Sequence, residues 1–433
     1  MFHRLLILIC LANRIFSTPN SCPNYNISSS SYQVPFQINN IKYKQVNTSI
    51  TNIFLPLYSS QPLETILPEV TTAIIAIHGL NGDAYNPFCE IFDSLSTYAE
   101  NTENKYIIIA PLFSESEVNG LTWSGNQNDV NKTSVYWSSS SWMSGINDAN
   151  NATSSYDCLD ELLSHVMNTT SYPSMSKVVV TGFSAGGQTV NRYSWASSVS
   201  AVDQINLRFV SSDASSYLYL NSSRPDTAEC TPLNDTGTSF DCATFVNTSA
   251  ALDACDGYDE WKYGVSSFPS TKKYSYLAAV ASDPAAVAAH NGLFARRDLH
   301  FLFGDSDVCN CNVDGFANDA PLCFPVTSSG KSVQCSPSVD NGGQNVGCCD
   351  SYPDGTSNDL ATGCEAMVQG SNRLQRGLNY MNHLARAWPS LSLQGDGAPL
   401  PPPSYAIGEG LAHNSSRFYH SEQFQAWAFN TSV

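Results

Sequence analysis

Short, continuous apolar runs recur along the chain with longer, amphipathic segments between them. Ala73–Ile77, Tyr106–Ala110, Lys177–Thr181, Asn206–Ser211 and Leu299–Gly304 each hold a block of β-branched or aromatic residues with no polar alternation. Runs of that kind suit strands of a parallel sheet covered on both faces. The segments between them carry helical spacing. Ser154–Asn168 sets Leu159, Leu162, Leu163 and Val166 on one face. Cys364–Trp388 does the same with Met367, Leu374, Leu378, Met381, Leu384 and Trp388, which predicts one long helix with a core-facing stripe. Gln33–Leu57 predicts two leading strands in antiparallel pairing. A last strand is expected at Tyr405–Ile407, after the prolines at 401–403.

Strand and helix alternate, which points to an open α/β sheet. Two stretches break the alternation. Residues 214–297 form a long, lid-like insertion between two strands, and residues 306–363 a second one rich in cysteine, glycine and asparagine. Long irregular segments inside a domain are usually lids or binding loops. No proline- or glycine-rich linker divides the chain, so residues 19–433 are expected to form a single domain.

Residues 1–18 have the form of a secretory signal: His3 and Arg4, the apolar run Leu5–Ala12, then small residues at Ser17 and Thr18. The run is too short to span a bilayer, and no later segment is long and apolar enough. The protein is therefore expected to be secreted, with no membrane span once the signal is removed. Ten N-x-S/T sequons, from Asn26 to Asn430, agree with that route. So do the 14 cysteines. Cys10 leaves with the signal, and seven of the rest fall between Cys309 and Cys364 in spacings that do not suit zinc. Disulfides among those seven are expected, with Cys89 and Cys158 as the unpaired, buried thiols. The net charge of −18 disfavours nucleic acid and anionic membrane surfaces as partners.

The chemistry centres on Lys177–Gly187, KVVVTGFSAGG. A strand runs straight into Gly182-Phe183-Ser184-Ala185-Gly186, and a helix is expected from Gln188. Such a G-x-S-x-G turn holds its serine exposed on a strained backbone, with glycines where side chains would collide. Ser184 is the candidate nucleophile. It needs a base, and the base needs an acid to fix its tautomer. Asp307 follows the strand Leu299–Gly304 by a short loop and is the preferred acid. Asp305 and Asp213 are the alternatives. His413, in the glycine-rich loop Gly408–His413, is the preferred base; His420 is the weaker candidate, and His290, His300 and His383 fit structural roles. Backbone N–H groups of Leu80, after the strand Ala73–Ile77, and of Ala185 are the candidate oxyanion donors. His78 is expected to pack beneath that loop and bond to it.

With those motifs in place, the chain resembles the α/β-hydrolase superfamily over roughly residues 71–429. The resemblance rests on His78-Gly79, the Gly182–Gly186 elbow, and the order Ser184, Asp307, His413. Tyr136-Trp137, Trp142 and Asn191-Arg192-Tyr193 further resemble a group of secreted esterase-like hydrolases. The resemblance implies a mostly parallel central sheet flanked by helices and a serine hydrolase that cleaves carboxylic esters of small or polymeric substrates, with no metal and no organic cofactor. A peptidase or amidase, and a non-catalytic binding or adhesion module on the same fold, are the other readings open at this point. Trp123, Trp137 and Trp142 are expected in the core, with a pocket or glycan platform as the alternative. Asn310–Gly315 is expected to be a disulfide-braced turn, because Pro321 replaces the glutamate a calcium loop needs.

Overall fold

A computed structural model describes residues 33–38, 52–98, 103–116, 132–202, 204–226, 231–232, 240–241, 244–305, 307, 338–339, 345–346, 361, 363–370, 372–392 and 400–430. The signal-like segment, Trp123, the Asn310–Gly315 motif and six of the clustered cysteines lie outside the described residues.

Nine strands form one sheet: β1 (Gln33–Ile38), β2 (Asn52–Ser59), β3 (Thr72–Ile77), β4 (Tyr106–Pro111), β5 (Lys132–Ser134), β6 (Lys177–Phe183), β7 (Asn206–Ser212), β8 (Asp298–Gly304) and β9 (Ser404–Gly408). Their spatial order is β1-β2-β4-β3-β6-β7-β8-β9, with β5 beside β2. The leading strands β1 and β2 pair antiparallel, β2 runs antiparallel to β4, and from β4 to β9 every pairing is parallel.

The continuous apolar runs are explained by burial on both faces. In β3, Ala73, Ile75 and Ile77 enter one core while Ile74 and Ala76 enter the other. In β6, Val178 and Val180 face the first core and Val179 the second. The first core is closed by α2 (Ser155–Val166), α3 (Ala185–Ala196), α4 (Pro284–Ala295) and α5 (Arg373–Ser392). The second is closed by α1 (Tyr85–Tyr98), α6 (Ser415–Tyr419) and α7 (Glu422–Phe429). Trp137 and Trp142 are fully buried in the first core, Trp142 stacked on Phe113 and Trp137 edge-on to it, so they are packing residues.

Local signals set the helix ends. Helix α2 starts with a capping box, in which the Ser154 hydroxyl accepts from the Asp157 N–H and the Asp157 carboxylate accepts from the Ser154 N–H. The single helix expected over Cys364–Trp388 is two: Cys364–Met367, then α5. The break falls at Gly370, whose φ of +149° no helix allows, and Asn372 accepts from the Gln375 N–H to start α5.

The cysteine expectation needs one correction. Cys364 does not pair within its cluster but with Cys255 in the preceding insertion. Sequence spacing could not show this, because the partners are 109 residues apart and meet only through the fold. Cys158 is a fully buried free thiol, whereas Cys89, on α1, is half-buried and not buried as expected.

Candidate active site

The parallel register brings the carboxyl ends of five strands to one edge. Ile77 lies beside Gly182, Phe183 beside Ser212, Ser212 beside Leu302, and Gly304 beside Gly408. The residues that follow those ends are His78, Ser184, Asp213, Asp305 with Asp307, and the loop to His413. Open α/β sheets place ligands at this edge, and the candidate chemistry gathers there for the same reason.

Ser184 sits between β6 and α3 with φ +56° and ψ −116°, a strained backbone for a residue with a side chain. The flanking glycines are forced by contact. A Cβ on Gly182 would stand 2.4 Å from the Gly186 carbonyl carbon, and one on Gly186 would stand 2.2 Å from the Ile77 oxygen. The Ser184 N–H donates to the Ser212 carbonyl at 3.0 Å, tying the turn to the end of β7. Helix α3 begins at Ala185, three residues earlier than the expected Gln188, because the turn itself supplies the first helical carbonyl: the Gln188 N–H donates to Ser184 O. Farther along α3, the fully buried Arg192 donates to the Lys262 carbonyl, Gln188 Oε1 and Ser216 Oγ, bracing the helix against both neighbouring segments.

His413 reaches the serine from the loop after β9. Its Nε2 is 2.9 Å from Ser184 Oγ and its Nδ1 is 2.6 Å from Asp307 Oδ2. A carboxylate can only accept, so Nδ1 carries the proton and Nε2 is left to accept from the serine hydroxyl. The imidazole lies against Phe183 with ring centroids 4.5 Å apart, and Phe183 packs in turn on Phe418 of α6. Asp305 anchors the same loop by accepting the Gly410 N–H at 2.7 Å. It holds the loop, while the partner of His413 Nδ1 is Asp307.

Asp307 is fully buried. Burial pushes its carboxyl up, but the His413 imidazole, the Arg373 guanidinium and the hydrogen bond from His413 together hold it below the usual carboxylate range. Arg373, at the start of α5, places Nη1 3.5 Å from Asp307 Oδ1. Neither Arg373 nor Phe183 was singled out from the sequence. The available signal was an arginine on the otherwise apolar Cys364–Trp388 stripe.

Of the two candidate oxyanion donors, one belongs to the elbow and the other to the turn after β3. Ala185 is the first residue of α3, where a backbone N–H has no acceptor within its own helix. Leu80 lies in the turn after β3, and the His78 carbonyl of that turn would be 2.8 Å from a Cβ on Gly186. His78 is buried beneath the turn: Nδ1 donates to the Gly79 carbonyl at 2.7 Å and Nε2 accepts the Phe113 N–H at 3.0 Å. Burial pushes its pKa down to about 4, against the pull of the Gly79 bond, so the ring is a neutral brace.

The remaining histidines are elsewhere. His300 bonds to Asp298 and Ser404, His383 accepts from the Leu220 N–H, His290 bonds to the Trp195 carbonyl and His420 to Ser416 and Asp93. Atoms of Asp213, Asp307 and His413 that could ligate a metal come within 4.8 Å of one another. The Nδ1–H of His413 already points at Asp307, and Arg373 lies beside it, so the arrangement suits a proton network rather than a cation.

No family model matches the chain, and neither does any curated protein. Solved structures of similar form include poly(aspartic acid) hydrolase-1 from Sphingomonas sp. KT-1, with 17% identity over 92% of this chain and 98% of that one and a TM-score of 0.46. A poly(3-hydroxybutyrate) depolymerase from Bordetella parapertussis shares 13% identity over 86% and 83%, TM-score 0.43. The siderophore hydrolase EstB from Aspergillus nidulans shares 9% over 94% and 98%, TM-score 0.37. A mostly parallel nine-stranded sheet, a strained serine between β6 and α3, and an acid and a histidine after the last two strands make this an α/β-hydrolase fold.

Proposed function

We propose that the protein is a secreted serine hydrolase that cleaves carboxylic esters through an acyl-enzyme. The observation that carries the proposal is the unbroken chain from Ser184 Oγ through both nitrogens of His413 to Asp307, built on a strained elbow. Ser184 Oγ attacks the ester carbonyl carbon while His413 Nε2 takes its proton. The carbonyl oxygen becomes an oxyanion facing the N–H groups of Ala185 and Leu80. His413, held as imidazolium by Asp307, returns the proton to the leaving alkoxide, which departs as the alcohol. Water then attacks the acyl-serine by the same route, releasing the acid and restoring the hydroxyl. Support for secretion comes from the signal-like leader, from sequon asparagines exposed at Asn168, Asn221, Asn247 and Asn430, and from the Cys255–Cys364 bridge.

A fluorophosphonate probe tests the nucleophile. The wild type is expected to be labelled and Ser184→Ala to lose both labelling and turnover of short-chain aryl esters, with an unchanged far-ultraviolet circular dichroism spectrum. Equal labelling of the two proteins would remove Ser184 from the mechanism.

A further inference from the structure

Asp213 follows β7 directly, with φ +42°, in the left-handed region that a residue with a side chain occupies at a cost. It is fully buried, and its Oδ1 accepts the Gly304 N–H at 3.1 Å. Its other oxygen, Oδ2, has no hydrogen-bond partner, and Oδ1 of Asp307, which lies 3.5 Å from Arg373 Nη1 as an ion pair, has none either. Asp213 and Asp307 approach each other and His413 within 4.8 Å. Two acceptors left over in one dry site are satisfied together by a single proton between them, and that proton also removes the repulsion of two buried anions. The charges agree. Asp307 and His413 face Asp213 from the loops after β8 and β9, Arg373 from α5, and the buried Tyr217 from its own segment. Among the described residues Arg373 is the fixed cation beside the two carboxyls, enough for one anion and not for two.

We propose that Asp213 is a positioning residue: a neutral carboxyl whose Oδ2–H donates to Oδ1 of Asp307, so that Asp307 turns Oδ2 to Nδ1 of His413. Burial, with the charge of Asp307 next, pushes the Asp213 carboxyl well above the usual carboxylate range, in accord with that state. The strained backbone at Asp213 is the conformation that delivers Oδ1 to Gly304 and Oδ2 to Asp307 at once. The donated hydrogen bond also draws charge from Asp307. Its hold on the imidazolium is tempered, and His413 gives up its proton to the leaving group more readily. The kinetic part of this inference rests on the serine-hydrolase reading; the shared proton does not.

The test compares wild type, Asp213→Ala and Asp213→Asn on p-nitrophenyl butyrate across pH. Alanine removes the donor. It is expected to lower kcat by about 10–100-fold, the usual cost of a lost outer hydrogen bond of this kind. It should also move the acid limb of the kcat profile upward, because Asp307 then holds the imidazolium harder. Asparagine keeps both bonds, its amide donating to Asp307 and its carbonyl accepting from Gly304. It should recover most of the lost kcat with the acid limb in place. A merely structural role would leave the acid limb unmoved in both variants. An asparagine variant as damaged as the alanine one, or one whose acid limb falls, would make Asp213 a second anion and overturn the inference. The infrared carbonyl stretch of a protonated carboxylic acid gives a reading that needs neither turnover nor a folded alanine variant. One such band is expected at neutral pH in wild type and in Ser184→Ala and is expected to be lost in Asp213→Asn, while the contribution of Glu90 persists in all three. No difference between wild type and Asp213→Asn would overturn the shared proton. A difference in a protein that cleaves no ester would keep the shared proton and remove only the ester reading.

Discussion

Asp307 and Asp305 stand two residues apart in one loop and do different work. Asp307 is buried with its carboxylate on His413 Nδ1, whereas Asp305 holds the Gly410 N–H from the loop surface. Asp307→Asn keeps the shape but offers the imidazole an amide that can donate, so the wrong tautomer becomes available. The expected loss is up to about 10⁴ in kcat. Asp305→Asn retains an oxygen for Gly410 and is expected to cost no more than about tenfold, the scale of one weakened hydrogen bond. Steady-state kinetics of the two variants on one ester check this. Comparable losses at both positions would show that the loop, and not the Asp307–His413 bond, governs the rate. The histidines make the same point about surroundings. Among the described histidines, only His413 meets both a serine hydroxyl and a fully buried carboxylate.

At the scale of elements, one carboxyl of α1 meets the helix after the histidine, beside the bond from the Ser94 hydroxyl to the Tyr419 carbonyl. Ser415, the first residue of α6, donates its hydroxyl to Glu90 Oε1 at 3.0 Å, while Glu90 Oε2 is buried with no partner. Burial pushes the Glu90 pKa up to about 7, against the Ser415 bond and the nearby His420. A raised carboxyl favours the protonated form in the fold. The stability it contributes is complete below the unfolded value of about 4.5 and is lost as pH climbs through 7. Glu90→Gln keeps an acceptor for Ser415 and cannot ionise. It should match the wild type in thermal melts at pH 4 and exceed it at pH 8, by on the order of 1–3 kcal/mol. A variant no more stable than wild type at pH 8 would show that Glu90 ionises without penalty. The same element logic explains the break at Gly370: an apolar stripe continued across it on paper, but a backbone at φ +149° ends the helix there.

Across the whole molecule, the Cys255–Cys364 bridge joins the first insertion to the helix that directly follows the cysteine-rich one. Cys364 opens the short helix that precedes Arg373, so the bridge lies a few residues upstream of the Asp307 counter-ion. Closing so long a loop constrains the unfolded chain, and the double change Cys255→Ser with Cys364→Ser is expected to cost about 2–4 kcal/mol in denaturant unfolding. Non-reducing peptide mapping should recover a peptide pair joined at these two cysteines. A Cys364 recovered with another member of its cluster instead would contradict the pairing. No helix among the described residues is long and apolar enough to cross a membrane.

What could be read without coordinates was local. Continuous β-branched runs announced strands buried on two faces, because only such strands need no polar alternation. The G-x-S-x-G spacing announced Ser184, because the collisions that exclude side chains at Gly182 and Gly186 arise within one turn and the strand end beside it. The order of serine, acid and histidine, each after its own strand, was enough to propose Asp307 and His413. Other features depended on chain segments far apart in sequence. The pairing of Cys255 with Cys364, the guanidinium of Arg373 on Asp307, and the place of Asp213 beside an acid rather than as the acid were decided only by the fold. The reason is physical. A short spacing dictates backbone strain and periodic burial, whereas the protonation of a carboxyl is set by which charges and donors the tertiary structure brings within a few ångströms of it.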